Sequence, residues 1–116
     1  MRKTVTVAAL VLIFAACAST PQVASLSDKQ LSAMSPSQVS AYYADQNKTL
    51  ADNVLYNYGG DTYTAVESLT LQMNNDLTNL SKQKITRSQY NDGVRAIANK
   101  YQRQIDAAVK TSKINS

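Results

Sequence analysis

Tyr63–Ser81, YTAVESLTLQMNNDLTNLS, and Arg87–Lys110, RSQYNDGVRAIANKYQRQIDAAVK, decide the fold of this chain. In the first stretch Val66, Leu69, Met73, Leu77 and Leu80 recur at intervals of three and four, which places them on one stripe of an α-helix. In the second, Tyr90, Val94, Ile97, Tyr101, Ile105 and Ala108 fall on one face by the same spacing. The link between the two stretches is short and polar. Two amphipathic helices joined in this way most simply form an antiparallel hairpin with their apolar stripes facing each other.

Working upstream, Pro36–Tyr58 reads as a further helix, closed by Gly59-Gly60, where glycine can take the left-handed conformation that ends helices. Its stripe, Val39, Tyr42, Tyr43, Leu50, Val54 and Leu55, is diluted by Gln46 and Asn53. Four sequences have the capping-box form, a Ser or Thr followed three residues later by Gln or Glu. They are Ser27 with Gln30, Ser35 with Gln38, Thr64 with Glu67, and Thr86 with Gln89. The first opens a short turn over 28–34 carrying Leu31 and Met34, and the second has Pro36 at the first helical position, where its missing N–H costs nothing. The tail from Thr111 to Ser116 is expected to fray. No segment shows the strict alternation of an exposed strand, so the expected class is all-α. The architecture is a small helical bundle, or a helical hairpin with an additional packed helix.

The amino terminus has a different character. Arg2 and Lys3 form a short positive region, Val5–Ala16 is an apolar run interrupted only by Thr6, and small residues precede Cys17. This is the pattern of a secretory signal, and the run is well short of the roughly 20 residues that a membrane-spanning helix needs. Phe14-Ala15-Ala16-Cys17 resembles the lipobox of bacterial lipoproteins, with Phe14 where Leu is commonest. The resemblance implies cleavage before Cys17, a diacylglyceryl thioether on its sulfur and usually a third acyl chain on the new amino terminus. Ala18, being non-acidic, then implies sorting to the outer membrane in enteric-type bacteria. Ala16-Cys17-Ala18 also fits an ordinary small-x-small cleavage site, which would release a soluble periplasmic or secreted protein.

On the lipoprotein reading, residues 1–16 are the signal peptide, 17–26 a lipidated and flexible tether, and 27–116 the helical domain. Pro21 and the small polar residues around it support the tether. Removing 16 of 116 residues leaves 100, enough for one domain. Cys17 is the only cysteine, so no internal disulfide can form, and such a domain is only marginally stabilised by its own core. An envelope protein partner or self-association is therefore expected, alongside the membrane reached through the lipid anchor.

Composition restricts the chemistry. The chain has no histidine, a single cysteine that is not free if Cys17 carries lipid, and one glutamate, Glu67. The commonest general base and the usual zinc ligands are thus missing. Asp45 and Asp52 lie seven apart and share a helix face, a spacing more typical of solvated surface carboxylates than of a glycosidase pair. No phosphate-binding glycine loop or nucleophile elbow is present. The expectation is a non-enzyme with no cofactor and no metal.

Two binding surfaces are candidates. Tyr56, Tyr58 and Tyr63 surround the Gly59-Gly60 turn and form either a partner-binding knob, since tyrosine is favoured in interface hot spots, or a plug over Leu55 and Val66 at the bundle's end. Charge is also segregated. From Asp28 to Asp76 there are six acids against Lys29 and Lys48, a net −4; from Lys82 to Lys113 there are eight bases against Asp92 and Asp106, a net +6. Arg87, Arg95, Lys100 and Arg103 on the last helix are candidates for binding anionic glycan or lipid. The simpler reading is that these bases complement the acidic middle of the same molecule. Nucleic acid is not expected as a partner, because the export signal removes the chain from the cytoplasm.

Overall fold

In the computed structural model, which describes residues 20–115 and side chains as far as residue 112, the described residues form four α-helices and no strand. They are α1 (Asp28–Ser32), α2 (Pro36–Tyr58), α3 (Gly60–Ser81) and α4 (Arg87–Asn115). The signal-peptide segment, the lipobox and Cys17 lie outside the described residues.

Three of the four capping boxes form. The Ser27 and Ser35 hydroxyls each accept from the backbone N–H three residues on, while the Gln30 and Gln38 carboxamides return bonds to the cap N–H groups. Thr86 and Gln89 do the same at the start of α4, at 3.1 and 2.9 Å. The fourth pair, Thr64 with Glu67, lies inside a helix. The Thr64 hydroxyl bonds back to the Gly60 carbonyl at 3.0 Å, and the Glu67 carboxylate accepts from the Tyr63 hydroxyl at 2.8 Å. Helix α3 begins three residues earlier than its sequence pattern shows because Gly59, at φ +91°, ends α2 and caps α3 in a single residue. Its N–H reaches Leu55 O at 3.2 Å and its carbonyl accepts from Tyr63 N–H at 3.0 Å. Only glycine adopts that conformation without strain. At the other terminus, α4 continues through Asn115 rather than fraying from Thr111.

Helix α3 is central. It packs along α2 on one side and α4 on the other, whereas α2 and α4 barely meet. Gly93 lets α3 and α4 come close: a Cβ there would lie 2.8 Å from Leu80 Cδ2. Fully buried Val39, Tyr43 and Val54 of α2, Val66, Met73 and Leu77 of α3, and Val94 and Ile105 of α4 form one core. The stripes on α3 and α4 agree with the sequence pattern, although Val109 and Ala98 are buried more deeply than Ala108. On α2 the stripe is narrower, because Leu55 is 47% exposed.

The groove between α2 and α4 is filled by residues 21–34, which run antiparallel to α4. This corrects the expectation of a flexible tether through residue 26. Val23 and Leu26 are buried, the Val23 N–H donates to Gln102 Oε1 at 2.6 Å, and Gln102 Nε2 donates to Pro21 O at 3.0 Å. The Tyr43 hydroxyl donates to Ala24 O at 2.9 Å. A small domain with few aliphatics gains apolar burial by drawing in this segment, and one glutamine satisfies the backbone groups that a helix would have paired internally. The result is a slab of 45 × 30 × 17 Å.

Candidate functional site

The basic residues of α4 are divided among separate tasks. Half-buried Arg87 serves the strap formed by residues 21–34. Its Nη2 donates to Leu31 O, and to Met34 O at 2.6 Å, and its Nε donates to Asn91 Oδ1 at 3.0 Å. The guanidinium also lies 5.1 Å from the Tyr90 ring centroid. Arg87 thereby caps the carbonyl end of α1, a role suited to a planar fork of donors. The other face of Asn91 donates to the Ser32 hydroxyl at 3.1 Å. Arg95 is paired with both Asp28 on the strap side and Asp92 on its own helix.

Lys100 faces α3. Its Nζ lies 3.9 Å from Asp76 Oδ2 and 5.1 Å from the Tyr101 ring centroid. The same carboxylate oxygen accepts from the Tyr101 hydroxyl at 2.7 Å. Burial, then this hydrogen bond and the Asp76 charge, push the Tyr101 hydroxyl up to about 12. Arg103 points outward and is exposed, with no ion-pair partner among the described residues. The four candidate anion-binding residues therefore do not converge. Arg87, Arg95 and Lys100 are engaged within the fold, and Arg103 stands apart.

The three candidate tyrosines also divide. Tyr58 and Tyr63 are half-buried against the core. The hydrogen bond to Glu67, followed by burial and the charges of Glu67 and Asp52, raises the Tyr63 pKa. Tyr56, on the last turn of α2, is 89% exposed and is the most solvent-exposed large apolar side chain among the described residues. Next to it in sequence is half-exposed Leu55. At the same end of the slab a hollow of about 670 Å³ opens between the α2–α3 turn and the C-terminal part of α4, bordered by Tyr58, Asp61, Thr62, Ala65, Ala108 and Thr111. A second, shallower depression of about 450 Å³ lies on the outer face of α3, around Glu67, Gln72 and 60%-exposed Leu71.

Asp45 and Asp52 are both exposed, and Asp52 lies 3.8 Å from Lys48 on the same helix. No group of three His, Cys, Asp or Glu side chains among the described residues is placed to hold a metal ion. None of the described helices is long and apolar enough to cross a membrane. No family model, curated protein or solved structure matches the chain.

Sequence reasoning missed the role of Gln102 and the buried polar pair between α2 and α3. Asn47 is 1% exposed; its Nδ2 donates to Asn74 Oδ1 at 2.8 Å and lies 3.5 Å from Met73 Sδ. Its own Oδ1 has no partner among the described residues. In the strap only the large apolar residues Val23, Leu26, Leu31 and Met34, without periodicity, stand out from a segment rich in serine and glutamine.

Proposed function

We propose that this chain is a small helical lipoprotein of the bacterial envelope, anchored in the outer membrane through lipid on Cys17, with its domain facing the periplasm and acting by binding a protein partner rather than by catalysis. The lipobox resemblance supports the anchor. The observation that carries the binding reading is Tyr56, held almost wholly in solvent at the end of α2. A rigid aromatic ring on a helix loses little conformational freedom on docking and supplies a large contact area. The neighbouring hollow bordered by Tyr58 and Ala108 offers a receiving surface for a side chain of the partner.

The test is site-specific photo-cross-linking in cells. A cross-linking amino acid replaces Tyr56 in one strain and Gln72, on the outer face of α3, in another. The binding reading predicts a discrete heavier species from position 56, identifiable by mass spectrometry as an envelope protein or a second copy of this chain, and none from position 72. Monomer alone at both positions, with the protein abundant, refutes it.

A further inference from the structure

The strap fixes where a lipid anchor on Cys17 must sit relative to the domain, and this determines which face meets the membrane. The inference rests on the lipoprotein reading. Gln102 holds the backbone at both Pro21 and Val23, so the chain joins the slab at the middle of α4. Pro21 is only four positions on from Cys17, an extended reach of about 14 Å. From Gln102 to either end of α4 is about 20 Å of helix. A domain standing on either end would hold Pro21 farther from the bilayer than that leash can span.

We infer that the domain lies lengthwise on the membrane, with the strap and the outer side of α4 against the phosphate headgroups of the anchoring leaflet. The side chains on that face fit the assignment. Arg103 adjoins Gln102, and Lys110 lies seven residues further on, two turns along the same side; both are exposed. Neither has an ion-pair partner among the described residues. The acids on this side are engaged within the fold: Asp106 accepts from Gln102 Nε2 at 2.8 Å, and Asp28 and Asp92 both pair with Arg95. The strap carries no charge between Thr20 and Ser27, and its two charged residues, Asp28 and Lys29, are of opposite sign. Basic side chains at this level are attracted to an anionic leaflet. Helix α3, with Leu71 and Gln72, is on the opposite face, because the strap fills the side of the α2–α4 groove that α3 leaves open.

The sole cysteine makes a direct test possible. Full-length protein bearing Asn99→Cys or Gln72→Cys is produced with its lipid, labelled at the one free thiol with an environment-sensitive fluorophore, and reconstituted into vesicles of zwitterionic and anionic phospholipid containing a headgroup-quencher lipid. The expected result is quenching at position 99 at least about threefold stronger than at position 72, a contrast that shrinks when Arg103→Gln and Lys110→Gln are combined. Equal quenching at both positions overturns the orientation, as does stronger quenching at position 72. Intact mass separates the two levels of the argument. Lipidated protein without the contrast refutes the orientation alone, whereas protein lacking the lipid mass refutes the anchor and the orientation with it.

Discussion

Replacing Gln102 with alanine is expected to loosen the strap without unfolding the helices beneath it. The carboxamide makes two bonds to the strap, accepting from Val23 N–H at 2.6 Å and donating to Pro21 O at 3.0 Å. A third, to Asp106 at 2.8 Å, is exposed and counts for little. Each strap bond is worth about 1 kcal/mol, with somewhat more lost where the Val23 N–H stays covered and unpaired, so the strap loses about 2–3 kcal/mol. The strap adds only a few apolar side chains to the core, so it opens as a local unit with less free energy than global unfolding requires. A loss of that size raises local opening about 30- to 150-fold. The assay is residue-resolved amide hydrogen exchange. Val23 and the Leu31 N–H, which bonds Ser27 O at 2.9 Å, report the strap; Met73 and Leu77 amides report α3. Faster exchange by that factor is expected in the strap, with little change in α3. Unchanged exchange at Val23, or an equal rise at Met73 and Leu77, would show that Gln102 does not hold the strap as a separable element.

Further expectations follow from the core and its polar exceptions. Leu77→Ala removes a fully buried side chain near the C-terminal end of α3 and is expected to cost about 2–5 kcal/mol in urea denaturation. Asn47→Leu removes a buried amide whose carbonyl is unpaired and leaves half-exposed Asn74 free to bond water; stability is expected to be unchanged or raised by up to about 2 kcal/mol, and a fall of that size in denaturation contradicts it. Arg95→Gln breaks contacts to two exposed carboxylates and should lower stability by less than about 1 kcal/mol, with the difference vanishing at high salt. Tyr43 is pushed up to about 12 by burial and by the neighbouring Tyr42 and Tyr90. Its native pKa lies above the unfolded value of 10, so its contribution is complete below pH 10 and is lost as pH rises from 10 towards 12. Tyr43→Phe is therefore expected to flatten the decline in stability between pH 9 and pH 11.5, measured by urea melts.

The hairpin of α3 and α4 was legible because its stripes are long and its burial is strong, so periodicity and packing agree at Val66, Met73, Leu77, Val94 and Ile105. The caps at Ser27, Ser35 and Thr86 were legible because the reciprocal bonds involve only neighbours in sequence. Thr64 and Glu67 carry the same spacing, yet the start of α3 was set by Gly59, whose backbone freedom acts before any side-chain cap is needed. The strap was hidden for a different reason. Its residues have no periodicity, and it is held by side chains far away in sequence, above all Gln102, some 80 positions on. Segregated charge was visible in the sequence, but its use was not: Arg87, Arg95 and Lys100 turn inward to the carbonyls and carboxylates of the same molecule, and Arg103 does not. Similarly, three neighbouring tyrosines looked alike until the turn at Gly59 sent Tyr58 and Tyr63 towards the core and left Tyr56 in solvent.

The anchor on Cys17 is the claim on which localisation, orientation and access to an envelope partner all depend. Mass spectrometry of the amino-terminal peptide, from protein expressed in a bacterial host and recovered from membranes, tests it most directly. Lipidation predicts a peptide beginning at Cys17 and carrying the mass of a diacylglyceryl group, with or without an N-acyl chain. A peptide beginning at Ser19, or an unmodified Cys17 within an uncleaved amino terminus, contradicts it.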